Sequence, residues 1–174
     1  MNTPEPAIAD CDEPGSTNEP DVPPEPTVTL HCSTRCAGDL NWLHRRIELV
    51  IPLLSRPVEH VEVLIVDDES MIDFHQRFCD DDTTTDVLTF PSTTDMGTPL
   101  DVHIIINVEE ALRQSKSRPH GALKELLLYV VHGLLHCCGH DDKAPEDSDR
   151  MHAEEDRLLE EIGVGRVYDH GGES

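Results

Sequence analysis

A chain of 174 residues has room for one domain of ordinary size. Its 36 Asp and Glu against 13 Lys and Arg give a formal net charge of -23, which repels polyanions at long range and argues against capture of nucleic acid by bulk charge. No basic start leads into an apolar run and nothing approaches the ~18 apolar residues of a membrane span, so the expectation is a cytoplasmic chain without leader or anchor.

Residues 1–26 hold seven acids, no Lys or Arg and no aromatic residue. Such a segment cannot bury enough apolar surface to offset its ordering entropy, and it reads as a disordered acidic tail. The domain is expected over 27–165, with a flexible end at 166–174. "TVTLHC" (27–32) alternates as a strand does. Residues 38–54 carry Leu40, Leu43, Ile47, Val50 and Leu54 at helical spacing, with Asp39 as N-cap and Pro57 beyond the end. "HVEVLIV" (60–66) is a strand, and 67–78 opens with cap-type acids and reads as a helix. "TDVLTFP" (85–91) is a short strand closed by proline. "DVHIIIN" (101–107) is apolar enough to be a strand covered on both faces. A short helix is expected over 108–117, a longer one over 119–138 with Pro119 in its first turn, and an amphipathic one over 146–162. The order β-α-β-α-β-β-α-α-α predicts an α/β fold, an α+β sandwich with one sheet of about four strands and helices packed on it.

The helix at 119–138 ends in "VVHGLLHCCGHDD" (130–142), where six of the first nine residues are apolar. His132 and His136, four apart, lie one above the other and present both rings to one point. Two imidazoles so placed are half of a tetrahedral zinc site. Gly139 can take positive φ, end the helix and reverse the chain, bringing Asp142 back as third ligand. His140 is the rival for that place. Three protein ligands leave a fourth position for water, a catalytic arrangement. The glutamate base of metalloproteases would stand at position 133, where this chain has glycine, so a peptidase ranks below other hydrolases. Adjacent helical cysteines point about 100° apart, so at most one of Cys137 and Cys138 can share the histidine face. His31, Cys32 and Cys36 are too loosely spaced for a second metal site, and the two cysteines read as ordinary thiols.

The 130–142 stretch resembles the signature of the YbeY family of bacterial endoribonucleases, H-G-x-L-H-x-x-G-[YH]-D-H. "TDVLTFP" is similar to that family's T-[DN]-V-L-[ST]-F-P, and Asp101 to the acid opening its next strand. The resemblance spans roughly 40–162. It implies an α/β fold holding one zinc per chain and a metal-dependent hydrolase of single-stranded RNA. It further implies a role in ribosomal RNA maturation, notably at the 3′ end of the small-subunit RNA, and in ribosome quality control. The implied partners are ribosomal RNA and the ribosome or its proteins, with no DNA and no membrane. By position the ligands are His132, His136 and residue 142, where the family's last histidine is Asp142 here. His140 and Asp141 are expected to support the ligands. A family arginine follows an aromatic residue ahead of the T-D-V-L motif. Aligning Phe78 with that aromatic puts Cys79 in the arginine's place and leaves Arg77 as its substitute.

An RNA enzyme needs local positive charge. Arg113, Lys116 and Arg118, with His120, form the densest basic cluster, and Arg45 and Arg46 a second. Trp42, Tyr129, Tyr168 and three phenylalanines are too few to suggest a stacking platform. Substrate delivery by a protein partner or the ribosome is therefore expected, with weak, steeply salt-dependent cleavage of free RNA. The attacking group is either a metal-bound water or the RNA 2′-hydroxyl. The alternatives are a zinc hydrolase of another substrate and a non-catalytic ribosome-associated maturation factor with a structural metal.

Overall fold

Alternating apolar residues pair four segments into one sheet, in a computed structural model that describes residues 25–35, 38–118 and 120–168. The strands are β1 (Thr27–Cys32), β2 (Val58–Val66), β3 (Val87–Pro91) and β4 (Leu100–Asn107), in spatial order β1-β2-β4-β3. β1, β2 and β4 run parallel, and β3 pairs antiparallel to β4 at the edge. Helices α1 (Leu40–Val50), α2 (Asp68–Cys79), α3 (Val108–Gln114), α4 (Ala122–Cys137) and α5 (Pro145–Glu161) complete the expected order.

The period-two rule divides the sheet into two faces. Val61, Val63 and Ile65 of β2 and Val102, Ile104 and Ile106 of β4 are fully buried in one core with α1, α4 and α5. On the other face Val66, Leu88 and Ile105 meet Met71 of α2 in a smaller cluster. That cluster covers only part of this face. His103 of β4 is exposed and pairs with Glu62 at 2.8 Å, so β4 is buried on both faces at one end rather than along its length.

Helix ends follow local chemistry. Asp39 accepts from the Asn41 N–H and caps α1. The helix stops at Val50, earlier than spacing suggested, and Ile51–Leu53 tighten into a 3-10 turn because Pro52 has no N–H to continue the ladder. Asp67 caps α2. α3 ends at Gln114, and α4 starts at Ala122 behind Gly121, whereas a start at Pro119 was expected. Pro119 lies outside the described residues, as do Cys11, Cys36 and the acidic tail up to residue 24. Cys32 is disulfide-bonded, which corrects its reading as an ordinary thiol. The chain remains tied down past 165: the N–H groups of Val167 and Tyr168 donate to Asp156 Oδ1 at 2.7 and 3.2 Å, and the Tyr168 ring stacks on His152. Residues 169–174 of the expected flexible end are outside the described set. Among the described residues no helix is long and apolar enough to cross a membrane.

Candidate metal centre

Helix α4 is the most buried helix of the fold because apolar side chains surround it, including Leu126, Leu127, Val130, Val131 and Leu134 at 0% exposure. It lies close against β3 and β4. A Cβ built at Gly133 would stand 2.6 Å from Thr89 Oγ1, closer than any side chain can sit. Glycine at 133 is thus a packing requirement, and the site has no space for a peptidase glutamate there.

This seating leaves His132 and His136 on a half-exposed edge, with ring centroids 4.6 Å apart and planes nearly perpendicular. Gly139 at φ +91 ends the helix. The Gly139 N–H donates to His136 O and the His140 N–H to Leu135 O, the paired bonds of a Schellman turn. Asp141 Oδ1 then accepts from the N–H groups of Asp142 and Lys143 and shapes the return. Asp142 Oδ2 comes to 3.7 Å from His132 Nε2 and 3.9 Å from His136 Nε2, while the two Nε2 atoms are 3.0 Å apart. Among the described residues this is the one group of three His, Cys, Asp or Glu drawn together in this way.

The placement of protons shows what the group lacks. His136 Nδ1 lies 3.0 Å from the His140 carbonyl, and an oxygen without hydrogen can only accept. His132 Nδ1 lies 2.7 Å from Glu155 Oε1, a carboxylate at 0% exposure. With both Nδ1 atoms donating, both neutral rings turn Nε2 lone pairs toward each other and toward a carboxylate oxygen. In the neutral rings three acceptors converge, an arrangement that a cation, a metal ion or a proton, completes. Ligand atoms on a tetrahedral zinc stand about 3.3–3.5 Å apart, and the observed 3.0, 3.7 and 3.9 Å bracket that spacing, so the donor set fits the metal. Burial disfavours a charged His132, yet the hydrogen bond and charge of Glu155, with Asp86 and Asp142, outweigh it and raise the imidazole pKa above its ordinary value.

Glu155 escaped the sequence reading. The signal for it is an acid on the apolar stripe of α5, between Met151 and Leu158, both fully buried. His140 contributes its carbonyl, not its ring, and Asp141 holds the turn. Cys137 and Cys138 stay outside the group, and burial pushes the Cys137 thiol up to about 11. Arg77 is not brought here. It lines a shallow groove on α2 with Phe74, and α2 packs on the sheet face opposite α4. Cys79 is exposed beside it. Of the basic cluster, Arg113 is bound by Asp68 at 2.6 Å and Glu110 at 2.7 Å, and Arg118 by Glu125 at 2.9 Å, while Lys116 has no acidic partner among the described residues. Phe74 and Phe78, one turn apart on α2, meet Phe90 of β3: Phe78 is 6.3 Å from Phe74 and 4.9 Å from Phe90, centroid to centroid.

A mixed α/β sheet with a histidine pair on its central helix and a carboxylate returned by a glycine turn is the frame of a metal-type hydrolase. The family model for endoribonuclease YbeY matches residues 41–163. The chain is 39% identical over 119 residues to endoribonuclease YbeY of Nitratiruptor sp., covering 68% of this chain and 81% of that one. With the Chlorobium phaeovibrioides protein of the same name it shares 29% over 139 residues, covering 80% and 93%. The solution structure of TM1509 from Thermotoga maritima superposes with a TM-score of 0.55 at 28% identity, over 78% of this chain and 89% of that one. The chain belongs to the YbeY endoribonuclease family, and its enzyme class is accordingly that of the nucleases, which are hydrolases.

Proposed function

We propose that the protein is a zinc-dependent endoribonuclease for single-stranded RNA, acting in ribosomal RNA maturation at the small-subunit RNA 3′ end and in ribosome quality control. The observation carrying this reading is the convergence of His132 Nε2, His136 Nε2 and Asp142 Oδ2, with both Nδ1 atoms turned to acceptors of their own. Zinc, when bound, supplies a Lewis acid and acidifies the water it holds. The chain's own residues do the rest. Glu155 holds the Nδ1 proton of His132 and the His140 carbonyl that of His136, which fixes both tautomers and aims both Nε2 atoms outward. Asp142, 40% exposed, leaves one side of the triad open to a phosphodiester. Gly133 and Thr89 hold the histidine helix against the edge strand. Ribosomal partners fit this reading, since the cations available for free RNA are few.

The test is cleavage of single-stranded RNA by the purified chain beside His136→Ala prepared identically, with zinc content measured in both. Cleavage and zinc both lost in the variant support the proposal. Stoichiometric zinc in the wild type with no difference in cleavage would make the protein a non-catalytic maturation factor.

A further inference from the structure

The stripe of α4 that carries His132 and His136 continues through Tyr129 and Glu125. These two residues line a cleft of about 330 Å³ together with Thr85, Asp86, Glu110 and Arg118. The size suits a small organic group. Asp86 belongs to the loop before β3, and Tyr129 stands one turn before His132 on the same stripe of α4, so the cleft adjoins the triad.

Its lining is largely fixed in advance. Glu125, 1% exposed, has one oxygen on Arg118 at 2.9 Å and the other on His120 at 2.5 Å. Asp86 Oδ1 accepts from the Thr85 hydroxyl at 3.1 Å and the Val87 N–H at 2.8 Å, while Oδ2 accepts nothing among the described residues. One group is unprovided for. The Tyr129 hydroxyl is shielded from solvent on a residue 4% exposed, and it has no hydrogen-bond partner among the described residues. A buried hydroxyl that forgoes water without a replacement is costly and calls for an explanation. A ligand that supplies the missing bond is one.

The chemistry of that ligand follows from the lining. Three carboxylates face one guanidinium, so the cleft repels a phosphate and favours hydrogen-bond donors: sugar hydroxyls and the amino group of a base. We propose that this cleft binds one ribonucleoside of the RNA, next to the phosphate held at the triad, with the Tyr129 hydroxyl and Asp86 Oδ2 as its hydrogen-bonding partners. The role in cleavage rests on the nuclease reading above; the binding does not.

The experiment melts the full-length chain with and without free cytidine at saturating concentration, for wild type and Tyr129→Phe, with inorganic phosphate as a parallel ligand. Cytidine should raise the wild-type melting temperature. The phenylalanine variant should bind cytidine about three- to tenfold more weakly, and without ligand it should melt no lower than wild type. No cytidine shift in the wild type, equal affinity in both proteins, or a lower melting temperature of the free variant would each overturn the proposal. So would stabilisation by phosphate alone. RNA cleavage run alongside separates the two readings. Cytidine binding without cleavage sinks the nuclease and leaves the cleft standing, and cleavage without cytidine binding does the reverse.

Discussion

At the residue scale, three positions separate ligands from their supports. Asp142→Ala should abolish tight zinc binding, whereas His140→Ala should keep it, because His140 acts through a carbonyl that alanine also has. Metal analysis after dialysis checks both, and the reverse result would transfer the third ligand to His140. Glu155→Gln keeps an acceptor near His132 Nδ1 but removes the charge, and supporting carboxylates of this kind are worth about 10- to 100-fold in metal affinity. A chelator competition that finds no change would show Glu155 to be structural only. Gly133→Ala forces a methyl to 2.6 Å from Thr89 Oγ1 and should cost about 1–3 kcal/mol in chemical denaturation, with part recovered in the double variant Gly133→Ala, Thr89→Ala. The convergence of the two histidines was legible because residues four apart on a helix share a face by geometry alone. Glu155 was not, since it lies 23 residues from His132 on another helix. The stretch 141–161 carries ten acids, and nothing local distinguishes the one that turns inward.

At the element scale, the loop that starts the T-D-V-L motif is held from below by Asn107. This side chain, 0% exposed at the end of β4, donates to Asp68 Oδ1, Thr84 Oγ1 and the Thr85 carbonyl, and accepts from the N–H groups of Glu109 and Glu110 to cap α3. Asn107→Ala removes a cap and several buried hydrogen bonds at once, and a loss of about 2–4 kcal/mol is expected in urea unfolding. Asp68 joins α2 to α3 through Arg113, whose guanidinium holds the carboxyl pKa down to about 2 from an ordinary 3.8. A carboxylate depressed in the folded state stabilises above its unfolded pKa and loses that contribution as pH falls through its folded one. Partial exposure discounts the effect to about 1 kcal/mol. Wild type should therefore lose that much more stability than Asp68→Asn between about pH 4 and pH 2, and parallel acid titrations would contradict the assignment. Element order and strand positions were legible from period and caps. The uneven burial of β4 was not, because "DVHIIIN" does not say how far α2 extends over the sheet.

At the scale of the whole molecule, charge is spent internally. Arg113, Arg118, Arg150, Arg157 and Arg166 are paired with acids, and Arg46, Arg56 and Lys124 donate to backbone carbonyls. Few cations remain for phosphates, and salt also screens the repulsion of a chain at -23. In place of the steep salt dependence expected from the sequence, the apparent affinity for free single-stranded RNA should thus fall by no more than about tenfold between roughly 50 and 200 mM salt, against about a thousandfold for six or more phosphate contacts. A steep fall in filter binding would restore the basic cluster as the RNA surface. Arg113 reaches Asp68 on another helix, a pairing that no count of Lys and Arg along the chain reveals, whereas Arg150–Asp147 and Arg157–Glu154 lie three residues apart on α5. The position of Glu155 on the final helix has a consequence in time. During synthesis both histidines of α4 are made before the carboxylate that orients one of them. Until α5 is made, His132 Nδ1 has no Glu155 Oε1 to hold its proton. At the proposed metal centre, the order of translation would thus supply the ligand pair first and the group that orients it last.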